Sequence, residues 1–437
     1  MINIFILPVV FFSSVIVSNL IVRFTSQKIL NVSYPEFWPL REFSLRIPSQ
    51  EEFLLLLIIF GLFYFSIKYL SKVSYKLSHV IFLGFCLLLF TNLLQGWHYG
   101  IVSPISGIGQ QYYHDALKIK SAFGFLKDFN LIQPHLQIHS RLHPPGAVLT
   151  LYFLKNFLEN PAFIAIFVAF VSLFFSGLFL YRIFKKELKD KQLSAFLTLL
   201  FILLPSVQVY YLASFDALIA TFLLGVLYFF LHKNMRLSIA VTLFFLFLAS
   251  FSTFLFFFIL PVLLALEISK KQFPLKSILV IAGLILVYFI IYLASGFNYI
   301  YSFLQAAELE NYAGLNLYFG KYNYIFSRAE SLLEIIIFLG PFLTLLFLRA
   351  FAKLKKGSST LYTASRAALT TFFVMLIFGF FRNGETSRVC LFLYPYLIFP
   401  IGVYLKDTLI TAKEKEVLLS LVFSQALFMQ FLGYYFW

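Results

Sequence analysis

Apolar runs long enough to cross a lipid bilayer recur along almost the whole chain, and no other feature narrows its possible folds as much. A spanning helix needs about 20 apolar residues, because each residue rises ~1.5 Å and the hydrocarbon core is ~30 Å thick. On that rule helices are expected over 1–22, 51–69, 79–95, 161–183, 192–212, 215–232, 237–251, 253–268, 275–296, 331–350, 366–382, 389–405 and 415–435. The stretch 237–268 is too long for one helix and is divided near Ser250-Phe251-Ser252-Thr253. In hydrocarbon every backbone amide needs an internal partner, which only helices and closed barrels supply. The expected fold is all-α: a polytopic integral membrane protein of about 13 transmembrane helices, in one domain over 1–437 with no separate soluble domain.

Composition supports this reading. The chain is 61% hydrophobic and 12% charged, whereas soluble domains run at about 45–50% and about 25%. The net charge of +15 does not point to nucleic acid, since the basic residues form short clusters between apolar runs and no stripe along one soluble element. Cys86 and Cys390 lie in or beside expected spans, too few for a disulfide framework, and read as small buried residues. The first 22 residues lack a basic start and a small-residue cleavage site, so they are expected to remain as a first span. Asn31-Val32-Ser33 fits a glycosylation sequon, which matters only where the machinery is present.

Charge then orients the bundle. The run Gly146–Leu158 is apolar but short, and is expected to lie in the interface or re-enter without crossing. With that choice, the segments around 68–76, 182–191, 233–236, 270–276, 349–366 and 406–415 share one face and carry 21 of the 34 lysines and arginines. That face is the cytoplasmic one by the positive-inside rule, and it suits anionic membrane lipids. The amino terminus is then inside and the carboxyl terminus outside. The outer face carries the other 13 bases and 13 of the 19 acids, a neutral balance that suits a polar working site. Its segments 23–50, 96–160 and 297–330 are long, and long loops are usually functional.

Segment 96–160 holds five of the seven histidines: His98, His114, His135, His139 and His143. It also holds Asp115 within Gln111-Tyr112-Tyr113-His114-Asp115-Ala116-Leu117, followed by His139-Ser140-Arg141-Leu142-His143-Pro144-Pro145-Gly146. Two prolines and a glycine set a turn just before an apolar helix, placing Arg141 and His143 at the depth of a lipid phosphate, which they could bind by charge-assisted hydrogen bonds. The spacing of His135, His139 and His143 would suit zinc on one helix face, but the prolines end the run and no carboxylate or cysteine joins it. Further on, Ser214-Phe215-Asp216 puts a carboxylate at the outer end between two spans. Arg382-Asn383-Gly384-Glu385-Thr386-Ser387-Arg388 then precedes a proline-bearing span. Each has a plain alternative: Asp115 and Asp216 as helix caps, and Arg382, Glu385 and Arg388 as a surface ion-pair group. Glu308 and Glu310 read as a solvated loop that could also shape an acceptor groove.

An acid early in the first large outer loop, His-Pro-Pro at the start of an apolar juxtamembrane helix, and a late outer arginine cluster together resemble the GT-C superfamily of membrane glycosyltransferases. The similar branches are the protein O-mannosyltransferases and the aminoarabinose transferases of lipid A. The resemblance covers most of the chain in pattern and few residues in detail. Many members carry an adjacent acid pair where this chain has His114-Asp115, and no soluble domain is expected after the last span. The resemblance implies transfer of a sugar from a polyprenyl- or dolichyl-phosphate donor to a glycan, lipid or protein acceptor, with inversion. Asp115 would be the catalytic base. Asp216 would orient the acceptor, or join Asp115 around a divalent ion if one takes part; no other cofactor is implied. His139, Arg141, His143, Arg382, Glu385 and Arg388 would form the lipid-phosphate site. The expected location is a bacterial plasma membrane with the site facing outside. Two alternatives are a polysaccharide polymerase or ligase leaning on arginine and histidine, and a transporter. A transporter is disfavoured because the expected spans are almost free of charge and the polar residues gather at one face.

Overall fold

The computed structural model describes residues 10–11, 13–18, 20–21, 28, 44–107, 111–310, 320–353, 359–381 and 384–434. The expected first span and the outer segment 23–50 lie largely outside these, and Asn31, Arg382 and 311–319 wholly so. About 85% of the structure is helical. A two-residue antiparallel pair, Ser44–Leu45 with Gly433–Tyr434, is the one strand pairing among the described residues.

In chain order the helices are α1 (Gln50–Val73), α2 (Leu77–Leu93), α3 (Gln111–Lys118), α4 (Ala122–Ile132), α5 (Ile138–Arg141), α6 (Gly146–Leu158), α7 (Pro161–Leu188) and α8 (Lys191–Ile202). Then follow α9 (Pro205–Ala213), α10 (Asp216–Phe230), α11 (Met235–Ser252), α12 (Ile259–Ile268), α13 (Leu275–Ser295) and α14 (Tyr299–Glu310). The last are α15 (Lys321–Leu339), α16 (Pro341–Lys353), α17 (Thr360–Ile377), α18 (Thr386–Val389), α19 (Tyr394–Thr408) and α20 (Ala412–Leu432). Helix α10 packs most extensively, between α7 and α11, and α9 lies against α2 and α20. One continuous apolar core runs through them.

Among the described residues six helices are long and apolar enough to cross a membrane: α1, α7, α11, α13, α17 and α20. The number rises to eight if each of two bent pairs counts as one span. The thirteen apolar runs therefore do not all form spanning helices. The run 192–212 becomes α8 and α9, bent by 61°. The run 331–350 falls within α15 and α16, bent by 101°. The run 253–268 is a five-residue 3-10 turn followed by the ten-residue α12. Helix α6, with 13 residues, reaches only ~20 Å at 1.5 Å per residue, short of the ~30 Å core.

The breaks have identifiable partners. Pro341 has no N–H to give the carbonyl of Ile337 one turn earlier, and Gln425 Nε2 on α20 donates to it at 2.7 Å. Gly340 between them has φ of +92°, and a Cβ there would meet Gln425 Oε1 at 2.8 Å. At the other break, Gln208 Nε2 donates to Ile202 O at 2.8 Å. Asn92 Nδ2 donates to Gln208 O at 2.9 Å, and Gln430 Nε2 reaches the same oxygen at 3.0 Å. Interrupted helices persist in an apolar setting only where such buried donors satisfy the freed carbonyls.

Charge is segregated along α10. Lys186 and Lys276 donate to the carbonyls of Leu231 and Phe230 at its carboxyl end, where cations favour the helix dipole. Asp216 stands at its amino end, 15 residues away.

Candidate functional site

Proline and glycine build the first wall of the site. Pro145 is the N-cap of α6 with φ of −64°, and Gly146 follows. A Cβ on Gly146 would sit 2.1 Å from Phe251 O, so glycine lets the start of α6 touch the end of α11 backbone to backbone. That contact brings His143 Nδ1 within 3.4 Å of Ser252 O. A carbonyl only accepts, so Nδ1 carries the proton there and Nε2 keeps its lone pair.

The second wall comes from the joint between α9 and α10. The Ser214 amide donates to Tyr210 O at 3.1 Å and closes α9. Phe215 caps α10, and Asp216 occupies its first turn, where a carboxylate favours the dipole. The third wall is the four-residue α18, whose Arg388 and Val389 amides donate to Glu385 O at 3.1 and 3.0 Å.

These walls enclose a cavity of about 270 Å³. Its polar lining residues include Tyr112, His139, His143, Asp216, Glu385 and Arg388, with Glu310 from the end of α14. Its apolar lining residues include Phe254, Leu255, Phe303, Phe378, Phe380 and Val389. Arg388 is 6% exposed. Its Nε lies 3.6 Å from Asp216 Oδ2, and its Nη2 donates to Glu385 Oε2. A desolvated guanidinium needs such partners. Burial lowers its proton affinity, but Glu385 and Asp216 raise it by more, and it stays charged. Tyr112 packs edge-on against His143 at 5.5 Å and tilted against His139 at 6.1 Å. Burial, then the nearby Asp216, holds the Tyr112 hydroxyl well above its ordinary range. Burial, then the neighbouring His139, pushes His143 down to about 4, offset in part by its bond to Ser252. At neutral pH the described residues of the site therefore offer the Arg388 cation, a neutral His143 and the carboxyl groups of Asp216 and Glu385.

The structure brings together His139, His143, Asp216, Glu385 and Arg388, and places Asp115 elsewhere. Asp115 is 2% exposed; its Oδ2 accepts the Gln137 N–H at 2.9 Å and its Oδ1 pairs with Lys118 at 3.0 Å. It lines a second cavity with Lys118, Lys120 and Asp128. Its carboxylate pins the start of α5, the turn that carries His139. The side chain of Arg141 is not among those lining the first cavity. The expected pairing of Asp115 with Asp216 around a divalent ion is not formed, since they line different cavities. Among the described residues no group of three His, Cys, Asp or Glu side chains is placed to hold a metal ion. His135 falls in a 3-10 turn and His139 in α5, so the three histidines do not share one helix face.

The long segment 96–160 is tied to the start of 297–330, the other segment expected on the same face. The Asn298 N–H donates to Asn130 Oδ1 at 2.7 Å, and Asn130 Nδ2 returns a bond to Asn298 O at 3.0 Å. Gln133 Nε2 donates to both Arg141 O and Ser302 O, at 2.9 and 3.1 Å. Sequence reasoning passed over Glu330 and Glu334, both wholly buried on α15. Their spacing of four within an apolar helix was the available signal, since charge inside a span is costly and tends to be functional.

No model of a known protein family matches the chain, and no curated protein matches it.

Proposed function

We propose that this protein is a membrane-embedded glycosyltransferase of the GT-C kind, using a polyprenyl- or dolichyl-phosphate sugar donor and a glycan, lipid or protein acceptor. The observation that carries the reading is convergence: three polar elements far apart in sequence, 139–143, 214–216 and 385–388, line one cavity together with apolar side chains. A lining that mixes polar and apolar side chains suits a head group on a lipid tail. The volume lies near the small end of ligand pockets, which span ~300–1,000 Å³, and suits one sugar with its phosphate.

In this reading Asp216 is the base. It takes the proton of the acceptor hydroxyl as the acceptor oxygen bonds to the anomeric carbon. The bond from that carbon to the phosphate oxygen breaks, and the phosphate leaves with the electron pair. Arg388 stabilises the leaving phosphate. Protonation of Asp216 removes one of the two carboxylates competing for Arg388, just as negative charge grows on the phosphate. Asp115 supports the histidine turn. The lysines at the carboxyl end of α10 lie opposite the cavity, which favours a cytoplasmic face there and a site on the outer face of a bacterial plasma membrane.

A second reading, a transporter, is favoured by the two broken helices and by the buried Glu330 and Glu334, features that recur where helices bind ions within a membrane. One experiment separates the two. Purified protein in lipid is given a mixture of polyprenyl-phosphate sugars beside an Asp216→Asn variant. Wild type should consume one donor, and the folded variant should be about 100-fold slower or more. Full activity in Asp216→Asn would remove Asp216 as base. Flux of a sugar into vesicles without donor consumption would favour the transporter.

A further inference from the structure

Helix α18 has only four residues, and its side chain Arg388 is the cavity's cation. So short a turn holds little stability of its own, because one or two internal bonds scarcely offset the ordering of its residues. Its later amides bond within the turn: Arg388 and Val389 to Glu385 O, and Cys390 to Thr386 O at 2.9 Å. The first two, Thr386 and Ser387, have no carbonyl of the turn to reach. Both residues are wholly buried, so water does not serve them.

Glu334 meets that need. Its Oε2 accepts the Ser387 N–H at 3.3 Å, and the Thr386 amide bonds to the same carboxylate. Glu334 belongs to the 19-residue α15, anchored where Phe338 stacks on Tyr210 at 4.9 Å. A carboxylate is an expensive group to bury for packing alone, since its desolvation costs several kcal/mol. We infer that Glu334 is a positioning residue: it fastens the turn 386–389 to the rigid α15 and so fixes where the Arg388 guanidinium meets a phosphate. This rests on the reading that Arg388 binds the donor phosphate, although the fastening itself can be tested without it.

The test uses the full chain in lipid nanodiscs with three variants: Glu334→Gln, which keeps an acceptor oxygen, Glu334→Met, which removes it at similar length, and Arg388→Gln. The first readout is hydrogen exchange in the peptide 384–390. Exchange there should quicken at least tenfold in Glu334→Met and stay within about twofold of wild type in Glu334→Gln, with peptides of α7 unchanged. Unchanged exchange in Glu334→Met would overturn the inference. If Glu334→Met does not fold, Glu334→Ala takes its place with the same expectations. The second readout is the dissociation constant for a polyprenyl phosphate carrying no sugar. It should weaken about tenfold in Glu334→Met and in Arg388→Gln, with less than twofold further loss when the two are combined. A double variant that loses the product of the two single effects would show that Glu334 acts apart from Arg388. An Arg388→Gln variant that binds as wild type would instead refute the phosphate reading, leaving the exchange result to judge the fastening alone.

Discussion

Asp115 and Asp216 are the two carboxylates that the sequence offers as a base, and substituting Asp115 separates their roles. Asp115→Asn keeps a carbonyl oxygen that can accept the Gln137 N–H, now held at 2.9 Å. It loses the pairing with Lys118, whose side chain is 66% exposed; such a pair contributes only about 0–1 kcal/mol. A bond to a charged acceptor contributes about 1.5–3 kcal/mol against about 1 for a neutral one. Asp115→Asn should therefore cost about 1–2 kcal/mol of stability. Asp115→Ala removes the charged acceptor altogether and should cost more, about 1.5–3 kcal/mol. Removing a general base costs 10²–10⁴ in rate. If Asp115 only holds the histidine turn, Asp115→Asn should stay within about tenfold of the wild-type rate while Asp216→Asn falls at least 100-fold. Thermal unfolding in detergent and donor consumption in nanodiscs give both numbers. An Asp115→Asn protein with a native melting temperature and a rate down 100-fold, beside an active Asp216→Asn, would refute the reasoning and restore Asp115 as the base.

Two further outcomes follow from the same geometry. Gly146→Ala puts a Cβ 2.1 Å from Phe251 O and 2.5 Å from Phe251 C, backbone atoms that cannot swing aside, so it should cost about 1–3 kcal/mol. Gly124→Ala, whose nearest neighbour would be 3.6 Å away, should melt no lower than wild type; equal losses in both would mean that the α6–α11 contact is not tight. The third prediction concerns pH. His143 binds its proton near 4 when folded, below its ordinary 6.5, so the unfolded chain holds more protons between these values. Its neutral form stabilises the fold fully above about pH 6.5, and that contribution is lost as pH falls toward 4. The loss should amount to about 1–3 kcal/mol in melting experiments. It should be absent from His143→Gln, and an identical pH profile in that variant would sink the assignment.

The apolar character of the helices and the order of the polar elements were legible in the sequence, because both depend on composition along the chain. The number of spanning helices was not. A hydropathy window counts apolar residues and is blind to hydrogen bonds, so it reads 192–212 and 331–350 as continuous. At one bend Pro341 withholds a donor from Ile337 O and Gln425, distant in sequence, supplies it; at the other, which begins at Pro205, Gln208 serves Ile202 O. The choice between Asp115 and Asp216 was equally hidden. Asp115 lies inside α3 and Asp216 opens α10, and only tertiary contacts direct one to Gln137 and the other to Arg388.

A rule connects these observations. The polar residues lining the cavity stand at or close to helix ends: Tyr112 begins α3, His143 precedes α6, Asp216 opens α10, Thr253 follows α11, Glu310 closes α14, and Glu385 and Arg388 flank and occupy α18. The unbroken α7 and α13 contribute none. In an apolar medium a helix can stop only where something else satisfies its amides and carbonyls. A cavity with a polar lining is such a place, since the polar groups that line it and those that cap the helices occupy the same ground. The breaker residues Pro145-Gly146, Ser214, Thr253 and Gly384 therefore mark the site more closely than the count of histidines does. Glu334 fits the rule from the opposite side: an acidic side chain in mid-helix is tolerated because its carboxyl oxygen serves the end of another helix, the one that carries Arg388.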